Sequence, residues 1–212
     1  MSHDHEGHSH DHSPPPDQDG PLTHYQAMET AVRELLIEKG VVTADEVRAA
    51  IEAMDARSPA LGAKVVAKAW SDPDFKARLL ADGSAACREL EIDMGPTHLV
   101  VVEDSERLHN VIVCTLCSCY PRYLLGLPPD WYKARAYRSR VVREPRAVLS
   151  EFGTELPEEV EIRVHDSTAD MRYLVLPLRP AGTEGLDEAA LAELVTRDCM
   201  IGVTLPKGPA KH

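Results

Sequence analysis

Three of the chain's five cysteines fall within six residues. Cys114, Cys117 and Cys119 sit inside NVIVCTLCSCYPR, residues 110–122. A short β-rich run leads into the trio and Pro121 follows it, with Ser118 between the last two thiols. Crowding of this kind asks for a chemical reason, and the compartment decides which reasons are open.

The 212 residues suffice for one sizeable core with appended segments, or for two small domains. A formal net charge of −12, from 35 acids against 23 Lys and Arg, argues against nucleic acid as a partner, because phosphate neutralisation needs clustered cations. No apolar run is long enough to span a bilayer, so no membrane role is expected. The first twenty residues are polar, unlike a signal peptide. The chain therefore reads as cytoplasmic. Structural disulfides are uncommon there, so a cysteine cluster points to metal or redox chemistry. Cys87 and Cys199 stand alone and read as small buried apolar residues.

The chain divides into three by texture. Residues 1–20 form a low-complexity tail, expected to be disordered, in which His3, His5, His8, His10 and His12 alternate with Asp, Glu, Ser and Gly. A loose scavenging site for a divalent metal is a secondary reading of that tail. Residues 21–92 read as a helical arm. Met28, Val32, Leu35 and Leu36 share one face of a helix stopped by Gly40, Thr43 and Glu46 form a capping box, and Pro73 lies in the first turn of a further helix. Trp70 and Phe75 read as packing residues. Residues 93–212 read as a metal-binding α+β domain, with β-rich runs at THLVVVED, NVIVC, EVEIRVHD and MRYLVLPLRP, a turn at DSTAD and a helix at DEAALAELVTR. The fold class expected is α+β, an N-terminal helical arm followed by a layered α-β-β-α catalytic domain.

A structural zinc site requires four ligands, usually two separated pairs; here no second pair exists, and His109 is the nearest upstream histidine. A thioredoxin-type Cys-x-x-Cys leaves Cys119 unexplained. A metal held partly by backbone accounts for all three. If the thiolates of Cys117 and Cys119 bind one ion, the amide nitrogens of Ser118 and Cys119 lie between them along the chain. Cys117 sulfur to Ser118 nitrogen closes a six-membered chelate ring, and the two remaining rings are five-membered. The outcome is an unstrained planar N2S2 set from three consecutive residues. Cys114 can add an axial sulfur, leaving the sixth position open. Deprotonated amides need a strongly polarising ion, and such tetragonal sets suit transition metals better than zinc. An open position is what a catalytic ion requires.

The motif VCTLCSCY closely resembles the metal-binding signature of the nitrile hydratase α-subunit family. LGAKVVAKAWSDPDFKARLLADG, LGLPPDWYK, YRSRVVREPR, MRYLVLPLRP with AGTEG, and LVTRDCMIGV resemble further stretches, so the similarity covers residues 22–204 and omits the His-rich tail. The resemblance implies non-corrin cobalt(III), with non-haem iron(III) as the alternative, bound by Cys114, Cys117 and Cys119 sulfur and by Ser118 and Cys119 amide nitrogen. Thr115 and Tyr120 match cobalt-type members. It implies Cys117 as a sulfinate and Cys119 as a sulfenate, with the latter a candidate catalytic nucleophile or base. It also implies addition of water to nitriles, an obligate β-subunit (αβ or α2β2) supplying arginines to the oxidised sulfurs, and a cobalt activator protein.

Around the ligands, Asp166 and Arg172 are candidates for a pair that orients the site, with a surface ion pair as the plainer reading. Glu103 reads as a solvated turn acid, and Arg138, Arg140, Arg143 and Arg146 as a subunit interface. Arg122 stands where many family members have Trp. A cation there would favour polar or anionic substrates and raises thiocyanate hydrolase, whose metal subunit shares the motif, as the alternative. A non-enzymatic metal-storage or redox-sensing protein is the third reading.

Overall fold

The computed structural model describes residues 23–117 and 119–208. The His-rich tail and Ser118 lie outside the described residues. The described residues divide into two compact units, one up to Ala50 and one from Ile51 on.

In the first unit, helix α1 (His24–Glu38) begins at Thr23, whose hydroxyl accepts from the Gln26 N–H while Gln26 Oε1 accepts from the Thr23 N–H. Helix α2 (Ala44–Asp55), which runs across the boundary at Ala50, begins with the expected capping box: the Thr43 N–H donates to Glu46 Oε2 at 2.7 Å, and the Glu46 N–H donates back to Thr43 Oγ1 at 3.1 Å. Met28, Val32, Leu35 and Leu36 are all exposed.

The second unit is layered. Strand β1 (His98–Glu103) pairs in parallel with β4 (Met171–Leu176), and β2 (Leu108–Val113) pairs in parallel with β3 (Glu161–Asp166). Consecutive strands therefore fall in different sheets. β1 and β2 are joined by a tight reversal closed by a Ser105–Leu108 bridge, and β3 and β4 by the expected turn, where the Thr168 N–H donates to Met171 O. β2 packs on β4, so the two sheets stack. Helices α3 (Pro59–Ser71), α4 (Pro73–Ala81) and α5 (Gly83–Glu89), which the sequence groups with the arm, belong to this unit, and α4 and α5 cover β1. Asp72 and Asp82 cap α4 and α5 through the Phe75 and Ala85 N–H groups. Short helices α6 (Arg122–Leu125), α7 (Asp130–Lys133), α8 (Arg135–Arg140) and α9 (Pro145–Glu151) follow the cysteines, and α9 packs on β3. The C-terminal helical run divides into α10 (Glu188–Glu193) and α11 (Arg197–Ile201), because Thr196 starts a new cap. The mixed helix-and-strand class is as expected.

The core runs through both sheets. Phe75, Leu99, Ile112, Leu124, Leu149 and Leu174 are fully enclosed. Cys87 and Cys199 are completely buried, as their isolation in sequence suggests. Burial pushes the Cys87 thiol up to about 12, which keeps it protonated and inert. No described helix is long and apolar enough to cross a membrane.

Candidate metal centre

β2 ends at Val113, and the chain leaves the sheet as the loop carrying Cys114, Cys117 and Cys119. Their sulfurs converge. Cys114 Sγ lies 3.4 Å from Cys117 Sγ, which lies 3.2 Å from Cys119 Sγ, and all three fall within 4.8 Å of one another. None is in a disulfide. The Cys117 N–H donates to Cys114 Sγ at 3.3 Å, which curls the loop around its own sulfurs. Cys114 is buried, Cys119 half-buried and Cys117 exposed, so the cluster opens to one side. Leu116 at the tip of the loop is 89 % exposed.

Strand register fixes the loop's first residue. Val113 pairs with Asp166, and the Ser167 N–H extends the ladder to Val113 O at 2.7 Å. Asp166 is thereby set beside Thr115. Its two carboxylate oxygens accept from the Thr115 N–H at 2.9 Å and from Thr115 Oγ1 at 2.5 Å.

The far side rests on an aromatic floor. Tyr120 packs on Tyr132, and Trp131 on Tyr137 and Phe152, at centroid separations of 4.7–5.1 Å. Edge-to-face pairs of this kind add about 0.5–1.5 kcal/mol each beyond burial. Two phenols carry this floor to the backbone: Tyr137 donates to Ile112 O at 2.7 Å and Tyr132 to Cys119 O at 2.9 Å. Arg138 Nη1 donates to Cys117 O at 2.7 Å. Nothing in the sequence assigns Tyr132 or Arg138 to holding the loop. The sequence marks Tyr132 only through the similarity of LGLPPDWYK, and Arg138 only as part of an expected subunit interface.

The candidates around the ligands separate. Asp166 binds Thr115, whereas the Arg172 guanidinium is turned to the carbonyls of Thr168, Ala169 and Met171. Among the described residues no ion pair joins the two. The reason is register: Asp166 ends β3 and Arg172 belongs to β4, in the other sheet. Arg172 nevertheless acts on the cluster. Burial and hydrogen bonding to Cys117 push the Cys119 thiol up to about 12, and the Arg172 charge pulls it down. Arg122 is exposed at the start of α6, its guanidinium 5.8 Å from the Tyr123 ring centroid. Glu103 is not a solitary solvated acid; Lys76 Nζ lies 2.6 Å from it. The remaining arginines find partners within the chain, Arg140 on Glu144 and Glu151, Arg143 on Ser139 O, and Arg146 on the carbonyls of Leu156, Pro157 and Val160.

Three convergent sulfurs with no fourth histidine, cysteine or carboxylate in the cluster fit a thiophilic transition metal that takes its other ligands from elsewhere. Side chains alone do not complete a four-ligand zinc site, at least among the described residues. Fold and loop together define a protein whose thiolate loop could hold a metal ion.

The chain belongs to the nitrile hydratase alpha chain family, whose model ("Nitrile hydratase, alpha chain") matches residues 23–204. It is 56 % identical over 183 residues to a nitrile hydratase subunit alpha from Rhodococcus sp, covering 85 % of this chain and 92 % of that one. It is 54 % identical over 176 residues to a cobalt-containing nitrile hydratase subunit alpha from Pseudonocardia thermophila, covering 82 % and 86 %. Among solved structures it resembles recombinant thiocyanate hydrolase with partially modified cobalt centres, at a TM-score of 0.84 and 45 % identity, covering 91 % of this chain and 96 % of that one. It also resembles a double mutant of the Fe-type nitrile hydratase from Comamonas testosteroni Ni1, at a TM-score of 0.80 and 49 % identity, covering 88 % and 94 %.

Proposed function

We propose that this chain is the cobalt-binding α-subunit of a cytoplasmic nitrile hydratase, active as αβ or α2β2 with a β-subunit. The observation that carries this reading is the convergence of Cys114, Cys117 and Cys119 on one loop of a chain of this family. Cys114, Cys117 and Cys119 would hold the ion through sulfur, and Ser118 and Cys119 through amide nitrogen. The cobalt-containing relatives and Thr115 and Tyr120 beside the cysteines favour cobalt(III) over iron(III). An activator protein would load it. When bound, the metal supplies Lewis-acid polarisation for water addition to the nitrile carbon.

The chain's own residues shape the rest. Cys117 as sulfinate and Cys119 as sulfenate give the rim two anionic groups with three oxygens between them, and the Cys119 oxygen serves as nucleophile or base toward the incoming nitrile and water. Arg172 supplies positive charge toward Cys119. Asp166 holds the loop entrance through Thr115. Buried oxyanions need paired cations, and the exposed side of the cluster, with Leu116 projecting, is where a partner's arginines would enter. The test is co-expression with the β-subunit in cobalt medium. The complex should hydrate acrylonitrile or benzonitrile and the α-chain alone should not. Activity in the α-chain alone would contradict the shared site.

Arg122 supports a second reading. It places an exposed cation three residues after Cys119, which suits an anionic substrate, and the thiocyanate hydrolase structure shares the fold. Thiocyanate turnover far above nitrile turnover by the same complex would establish that reading instead.

A further inference from the structure

We infer that Arg138 is a positioning residue of the metal centre and the counter-charge of the peptide group through which Ser118 nitrogen ligates, an inference that rests on the backbone-ligated centre proposed above.

The inference follows from which carbonyl Arg138 binds. A peptide nitrogen shares its π-system with the carbonyl of the preceding residue. The nitrogen of Ser118 is conjugated with Cys117 O, and Arg138 Nη1 donates to that oxygen at 2.7 Å. A nitrogen that ligates as an amidate delocalises negative charge onto its carbonyl oxygen. A guanidinium placed there in advance stabilises the charged peptide, as preorganised donors stabilise an oxyanion. Such hydrogen bonds between ions are roughly twice as strong as neutral ones.

Two further observations bear on this arginine's charge; the first it shares with Arg143 and Arg146, which also bind carbonyls, and the second is its own. Among the described residues no carboxylate pairs with Arg138, although Arg140, two positions on, binds both Glu144 and Glu151. Arg138 Nε is buried with no hydrogen-bond partner among them. A partly enclosed guanidinium without a counter-ion is costly unless negative charge arrives, and in this loop the charge arrives with ligation. The neighbouring carbonyl gives the contrast. Cys119 O belongs to the peptide of Tyr120 nitrogen, which has no place in the ligand set, and its donor is the neutral phenol of Tyr132.

The test uses the cobalt-loaded complex with its partner subunit, labelled with cysteine carrying carbon-13 at the carbonyl. Cys117 is the cysteine whose carbonyl adjoins a ligating nitrogen, so one labelled band should lie at the lower frequency of an amidate. In R138Q that band should move upward, and cobalt should be lost to a chelator roughly 10- to 100-fold faster, with far-UV circular dichroism unchanged. R138K, which keeps a cation on a shorter reach, should lie between the two. Wild-type band position and chelator rate in folded R138Q would overturn the inference while leaving the centre intact. Absence of any amidate band in the unsubstituted complex would overturn the backbone-ligated centre, and this inference with it.

Discussion

Asp166, the last residue of β3, accepts two hydrogen bonds from Thr115, one from the N–H at 2.9 Å and one from the hydroxyl at 2.5 Å, across 51 residues of sequence. This carboxylate ties the first turn of the cysteine loop to the neighbouring strand. Replacing Asp166 with Ala removes both acceptors, and the loop is then held at this end by the strand ladder alone. The cobalt-loaded complex should lose roughly 10- to 100-fold in activity or metal retention. T115V keeps the N–H bond and should lose less. Metal analysis with nitrile-hydration kinetics checks both.

Beneath the loop, His109 Nδ1 lies 3.3 Å from Asp104 Oδ2 and Nε2 lies 2.7 Å from Gly202 O. Both partners are acceptors, so the ring is fully satisfied only as the imidazolium. Burial, the largest single influence, pushes its pKa down, but the hydrogen bond and charge of Asp104, with the Gly202 carbonyl, outweigh it and leave it raised from 6.5. A raised folded-state value contributes stability that is fully present below the unfolded value and is lost as pH rises through the folded one. Thermal stability of the chain should therefore fall on the alkaline side of 6.5 by more than in H109Q. D104N, which strands the buried cation, should cost about 3–5 kcal/mol in denaturant titration.

Two glycines separate backbone strain from lack of space. Gly202 (φ 89°) ends α11, and a Cβ there would stand 2.0 Å from Asn110 O, in the strand that leads to Cys114. Gly153 (φ 79°) has nothing within 4 Å. G153A should cost about 1 kcal/mol, the left-handed strain alone. G202A adds overpacking against β2 and should exceed it by roughly 1–3 kcal/mol. Equal costs in unfolding experiments would mean that α11 does not press on β2 as described.

What the sequence could and could not disclose follows from range. The cysteine trio was legible because its chemistry depends on consecutive residues, and capping at Thr43 is equally local. Strand partners were not legible. β3 and β4 are separated by one turn yet join different sheets, so the nearness of Asp166 and Arg172 in sequence suggested a pair that the register separates. The real partner of Asp166 is set by the β2–β3 ladder. His109 gave no sign beyond its residue type, because its role depends on Asp104 around a tight reversal and on Gly202 at the far end of the chain. The apolar face of α1 is legible as a face, but nothing local in the sequence says what covers it.

Arg122 offers a test of substrate charge. Its side chain is exposed at the start of α6, so substitution should leave the core undisturbed. R122W should raise kcat/KM for benzonitrile and lower it for thiocyanate, by roughly 10-fold each, the scale of one electrostatic contact. Unchanged ratios would remove Arg122 from substrate selection.

The most direct measurement is metal content of the purified complex together with the mass of the peptide spanning residues 114–119. One cobalt per chain, with two added oxygens on Cys117 and one on Cys119, is the expected result. Zinc bound to three unmodified thiols would contradict it.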